Sequence, residues 1–551
     1  MFLLLFLLVL KLICWNFSKA KLKHPLLKSS VGEDSKLALD VWQEILVYLG
    51  FVEGKQSGSH RGEAEENILE LGIKHPSLRN EIYCQVCKQL TGNPNETWLQ
   101  RAWELMSAIC TCFPPDHSLY SFLCSFLLAH ARNTQDPFAT TAQECLVMLE
   151  GIVENGPKHL VPNIRDLVAI KNHRKLSTLV RLMDGFELTV EISPITTCSE
   201  LFQTVVKTIQ LKSHQGFTIF ETSGELERSL LGGEYIGDIT SKWEHYKQVV
   251  MLGKGMNVEF CFVFKRQLFI PPFNFEEDPV EYELTFYQCA AAVTKGAWHV
   301  ESKEQALELA ALFSLYDLDS IHVLPDEIIT AQIEVYIPRN YLFLYQLTEW
   351  CTLLRQEHEK HRNLTKDQIL KKYLSIVQTF PDFGCSIFSV MHKSNWKLPH
   401  SFDISIGYQG IKFLQAQTHQ VLRAFDYDQV RDCTFTESSF SIQFHHGDFG
   451  FSSTYSSSSS SSGQEEIERE LVAETIQGIE ISHLIHMYIK QLSKLAKYAI
   501  GVVDCVSPIV FSLTLPLYFD QFTLFKFQQI NLRTSRNNRR NTIYNTNRIF
   551  C

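Results

Sequence analysis

Residues Gly72 to Asn95 read GIKHPSLRNEIYCQVCKQLTGNPN. Leu78, Ile82, Val86 and Leu90 recur at every fourth position, a stripe on one face of a helix that must bury against other helices. Arg79 and Lys88, with Lys74 and His75 just ahead of the helix, lie off that stripe. Pro76 and Asn93-Pro94 punctuate the two ends.

Working outward, LALDVWQEILVYLGF places Leu39, Trp42, Ile45, Leu46 and Leu49 at helical spacing, and SLYSFLCSFLLAHA repeats the pattern. An all-helical domain over 17–170 follows. At Lys175 the period changes. LSTLVRLMDG and FELTVEIS are rich in β-branched residues and meet at Asp184-Gly185, a hairpin signal. CSELFQTVVKTIQL then reads as a helix capped by Thr196 or Thr197, followed by the strands GFTIFET and VEFCFVF. That order is an α+β roll of ubiquitin type over 171–272. Residues 273–393 read as a helical lobe with an acidic start. From 400 to 455 come short strands, and ISHLIHMYIKQLSKLAKY closes the series with Ile481, Leu484, Ile485, Tyr488 and Leu492 on one face. Strands with a terminal helix predict a pleckstrin-like sandwich over 394–504. Seven consecutive serines, 456–462, cannot build a core and predict a solvated loop within it.

Composition sets the class. The chain has 551 residues, 45% hydrophobic and 20% charged, with a formal net charge of −10. Its length implies several globular domains, and its charge opposes nucleic-acid coating. Fifteen cysteines scattered from Cys14 to Cys551 describe reduced, intracellular usage rather than a disulfide framework. The apolar start, 1–16, lacks a basic lead and a cleavage site and is shorter than a membrane span. The segment 505–551 is apolar, then basic, and is interrupted by Pro508, Pro516 and Asp520. Both ends stand apart from the fold argument. No GxxxxGK[ST] loop occurs, the two Asp-Phe-Gly triplets have no HRD partner, and His358-Glu-Lys-His361 is one residue short of HExxH. The expectation is a protein that is not an enzyme and uses no cofactor or metal.

The run LRNEIYCQ with KQLTGNP, followed by Trp103-Glu-Leu105 and Cys112-Phe-Pro-Pro115, resembles the MyTH4 domain of unconventional myosins. The remainder resembles a FERM domain, with Tyr287-Gln288, Tyr336-Ile-Pro338 and Phe380-Pro-Asp-Phe-Gly-Cys385 in its middle lobe. The resemblance implies a multidomain α and α+β architecture. A MyTH4 bundle precedes a three-lobed FERM domain, whose lobes are ubiquitin-like, acyl-CoA-binding-protein-like and pleckstrin-like. Ala102 replaces the glycine usual before the tryptophan, and the serine loop is long.

What the resemblance implies is the cargo tail of a class seven, ten or fifteen myosin, working in the cytoplasm at the cytoskeleton, in actin-rich protrusions or at the cell cortex. The alternative is a motorless FERM scaffold joining phosphoinositides and receptor tails to the cytoskeleton. Expected partners are adaptor or adhesion-receptor peptides, with microtubules and acidic phospholipids as further candidates. Nucleic acid is not expected, and actin is expected only through a motor outside this sequence. Peptide binding by strand addition points to Ser439–His445 as the receiving edge, with Phe440, Ile442, Phe444, Ile481, Leu484 and Tyr488 as groove candidates. Lys74, His75, Arg79 and Lys88 are candidates for acidic tubulin tails, and Lys265, Arg266, Lys371 and Lys372 for acidic headgroups.

Overall fold

The computed structural model describes residues 16–505 except 29–31, 53, 56, 225, 249–258, 274–276, 319–331, 393–397, 417, 437 and 446–469. The apolar start, the seven serines expected to form a loop, the stretch FGFSST (449–454) expected to be a strand, and the tail beyond 505 lie outside the described residues.

Two compact units divide the chain. Among the described residues the first opens with the helices α1 (Glu33–Leu49), α2 (Gly58–Lys74), α3 (Arg79–Leu90), α4 (Glu96–Cys110), α5 (His117–Ala131), α6 (Ala139–Asn155) and α7 (Ile164–Lys171). The predicted stripe of α3 is buried throughout, in one core with Ile45, Trp103, Ile109 and Phe113. Gly72 lets the α2 end approach Phe113: a Cβ there would stand 2.1 Å from the ring.

The roll follows. Strands β1 (Leu176–Arg181) and β2 (Glu187–Ile192) form the expected hairpin, with Gly185 at φ 86°. Helix α8 (Cys198–Thr208) is capped by Thr197, whose hydroxyl accepts from Glu200 N–H while the Glu200 carboxylate accepts from Thr197 N–H. With β3 (Phe217–Ser223), β4 (Leu226–Ser229), α9 (Ile236–Tyr246) and β5 (Phe260–Arg266), the sheet order is β2-β1-β5-β3-β4. The sequence reading missed β4, only four residues long, and α9, although Ile236 and Ile239 lie on one buried face of that helix.

The second unit takes in 183–185, 211–218 and everything from Phe264, and its first helices among the described residues are α10 (Pro279–Thr294), α11 (Lys303–Leu318), α12 (Arg339–Leu342), α13 (Leu347–His361) and α14 (Lys366–Val377). Aromatic packing fills their core, with Phe286 against Tyr316 and Tyr373. The motif residues hold this lobe together. The Gln288 amide donates to Arg266 O and accepts from Arg266 N–H, and Phe383 packs on Phe269 and Phe273.

Helix was expected to 391, yet Ser386–His392 is a strand, β6. It joins β7 (Ser401–Gly407), β8 (Gly410–Leu414), β9 (Val421–Phe425), β10 (Val430–Phe435), β11 (Ser439–Phe444) and β12 (Glu470–Glu474) in the order β10-β11-β12-β6-β7-β8-β9. Helix α15 (Gly478–Cys505) packs against this sheet through Ile481, Leu484, Ile485 and Tyr488.

Candidate interaction surfaces

The conspicuous polar residues of α3 are turned inward. Glu81, Gln85, Lys88 and Gln89 are all buried, and Glu81, Lys88 and Gln89 hold the segment 16–27 along the helix. The Glu81 carboxylate accepts from Leu26 N–H at 2.7 Å, Leu27 N–H at 2.8 Å and Gln85 Nε2 at 2.9 Å. Lys88 Nζ donates to Asn16 O, Gln89 Nε2 to Ser18 O, and Trp42 Nε1 to Ala20 O. Lys19 covers the Trp98 ring at 3.8 Å.

This corrects the basic surface expected to meet acidic tubulin tails. Lys88 is 6% exposed, and its charge is committed to the arm. Arg79 donates to Gly72 O and Ile73 O, closing the α2–α3 turn, and His75 is half-buried. Lys74 alone of the four is exposed, and it pairs with Glu70. Long basic side chains one turn off an apolar stripe are flanking positions, and here both flanks are covered.

The lipid candidates divide similarly. Arg266 is 6% exposed, pairs with Glu281 and lies over the Phe217 ring at 4.5 Å, so it is unavailable to a headgroup. Lys372 pairs with Glu308 at 2.6 Å, Lys371 is exposed, and Lys265 is half-buried.

The groove candidates are corrected by strand order. β11 lies between β10 and β12, paired on both sides from Phe440 to Gln443, so it is an interior strand. Phe440, Ile442, Phe444, Ile481, Leu484 and Tyr488 are all at most 2% exposed and form the sandwich core. Their alternation gave the strand and its inward face, but an interior strand alternates just as an edge strand does.

Among the described residues the sheet's edges are β10 and β9. β10 runs beside α15 and carries Phe435, 47% exposed although it is paired with the buried Phe440. Ile476, 68% exposed, and Ile479, 39% exposed, stand at the helix start. Gly478 permits this closeness, because a Cβ there would lie 2.9 Å from Ser439 O and 3.2 Å from Phe435 Cβ. An open backbone edge with an apolar rim can accept an extended chain and seat a bulky side chain.

In the first unit a buried charge cluster fastens the bundle to the roll. Lys158, 1% exposed, faces Asp166 of α7 and Asp238 of α9. Burial pushes both carboxyl groups up, and the Lys158 charge opposes that rise. His159 N–H donates to Asp238 Oδ2, Asn163 N–H to Ser241 Oγ and the Tyr235 hydroxyl to Gly156 O.

Comparisons agree with this layout. Residues 65–169 match the MyTH4 domain, 174–268 the RA-like domain and 274–388 the FERM central domain. The myosin-I heavy chain of Dictyostelium discoideum is 24% identical over 75% of this chain and 18% of its own length. The kinesin-like protein KIN-14I of Oryza sativa subsp. japonica is 25% identical over 75% of this chain and 34% of its own. This chain therefore spans about a fifth to a third of those relatives. The human Myosin 7b C-terminal MyTH4-FERM domain, solved with the harmonin-a PDZ3 domain, superposes with a TM-score of 0.68 at 20% identity, over 87% of this chain and 93% of that one.

Proposed function

Taking the chain as a MyTH4 domain followed by a FERM domain, similar to the tails of unconventional myosins, we propose that it is a non-catalytic tail module that links adaptor or receptor peptides to motor-driven transport on the cytoskeleton. The observation that carries this reading is the open β10 edge beside α15, rimmed by Phe435, Ile476 and Ile479. Strand addition supplies main-chain hydrogen bonds, and the rim selects a bulky apolar side chain. A single short strand binds modestly, and pairing of tails on a dimeric motor raises the effective concentration.

The structural relative's PDZ complex supports adaptor binding as the role, and the kinesin-like relative supports microtubules as a track or partner. The headgroup-binding scaffold is the second reading, favoured by the exposed Lys371. Among the described residues no helix is long and apolar enough to cross a membrane.

Vesicle flotation separates the two. Vesicles of phosphatidylcholine, with or without phosphatidylserine and phosphoinositide, are loaded with an anchored peptide selected on the chain. Flotation that requires the peptide supports the cargo tail. Strong flotation with acidic lipid alone supports the scaffold and overturns the cargo reading.

A further inference from the structure

Bonded and non-bonded residue pairs alternate along an antiparallel ladder. Thr436 N–H donates to Ser439 O at 2.8 Å, which makes that pair bonded. Along the register, Phe435/Phe440 is then non-bonded, Thr434/Ser441 bonded and Cys433/Ile442 non-bonded. The backbone groups of Cys433 and Phe435 therefore face away from β11, toward the open edge. Beyond them the register shifts between Val430 and Asp432, which ends the regular edge. An incoming strand thus meets two outward N–H groups, and one is already engaged: Cys433 N–H donates to Asp432 Oδ1 at 2.9 Å. Asp432 is itself exposed, so its carboxylate can swing into solvent.

We propose that Asp432 gates strand addition at β10, because its carboxylate occupies the Cys433 N–H that a ligand carbonyl must reach. The proposal rests on the peptide-groove reading above and assigns that groove its regulation and its charge preference. A bound strand displaces the carboxylate, giving up one charge-assisted hydrogen bond for one to its own carbonyl. The displaced carboxylate then borders the ligand and favours Lys or Arg over Asp or Glu at the facing position. The gate also guards the free protein, since an edge with a capped amide is a poor template for a second sheet.

The test uses the full chain and a displayed library of short unstructured peptides. The bound edge is mapped by amide hydrogen exchange, and affinities are measured by fluorescence anisotropy for wild type, Asp432→Ala and Asp432→Asn. In the free protein, Asp432→Ala is expected to speed exchange at Cys433, while Asp432→Asn, which keeps an acceptor, retains the protection. Selected peptides are expected to protect Cys433 and Phe435. A version with Ala at the position facing Asp432 is expected to bind Asp432→Ala about tenfold tighter than wild type, the weight of one hydrogen bond. Preference for Lys over Glu at that position disappears in the same variant. Equal affinities for wild type and Asp432→Ala, with β10 still protected, overturn the gate and leave the groove standing. Selected peptides that protect only other residues overturn both.

Discussion

Replacing Glu81 by Ala tests whether the buried polar residues of α3 serve the chain itself or a partner. The carboxylate accepts two backbone amides, Leu26 at 2.7 Å and Leu27 at 2.8 Å, and the Gln85 side chain at 2.9 Å. Hydrogen bonds to a charged acceptor contribute about 1.5–3 kcal/mol each. Leu26 and Leu27 are half-buried and regain water on release, while Gln85 Nε2 keeps its bond to Ala38 O. The loss should therefore be about 3 kcal/mol for detaching the arm, or roughly 100-fold in its opening equilibrium. A chain of several domains does not unfold in one step, so a local readout is required. Amide exchange followed by mass spectrometry on peptides covering 16–28 supplies it, and those amides are expected to exchange roughly 100-fold faster while α13 and α14 stay unchanged. Glu81→Gln, with one acceptor oxygen left, should fall between. If exchange at Leu26 and Leu27 is the same in Glu81→Ala and wild type, the arm is not held by this carboxylate and the reasoning fails.

Three further outcomes are expected. Gly72→Ala drives a methyl into the Phe113 ring, itself fixed by the Tyr83 hydroxyl donating to Phe113 O, and should cost about 1–3 kcal/mol, seen as a lower melting temperature of the first unit. His419 titrates above its ordinary 6.5, because the Asp382 carboxylate 3.6 Å away, aided by the charge of Asp403, outweighs its burial. With the folded value raised, its stabilisation is full below about 6.5 and is lost as pH rises through the folded value, so His419→Gln should lower thermal stability near pH 5.5 and leave it unchanged near pH 8.5. Burial pushes the Cys84 and Cys112 thiols up to about 12, so both should resist iodoacetamide in the folded chain and react after denaturation, as read by mass spectrometry; rapid native labelling of either would contradict their burial.

Local signals in the sequence determined a great deal. The four-residue stripe of α3, the Asp184-Gly185 hairpin and a threonine cap at 196 or 197 each depend on residues a few positions apart, and the structure has all three, with Thr197 as the cap. The order of the lobes followed from changes of period along the chain, and the run from Gly72 to Asn95 carried the family resemblance. Tertiary structure decided which polar groups are spent inside. Nothing near Lys88 in sequence shows that Asn16 lies against it, and nothing near Arg266 shows that Glu281 does. It also decided which strand is an edge. Alternation along Ser439–Phe444 fixes a face, but whether a neighbour covers each side depends on β10 and β12, and β12 lies beyond the seven serines in sequence. Faces are set by local periodicity, whereas edges and charge partners are set by contacts between residues distant in the chain.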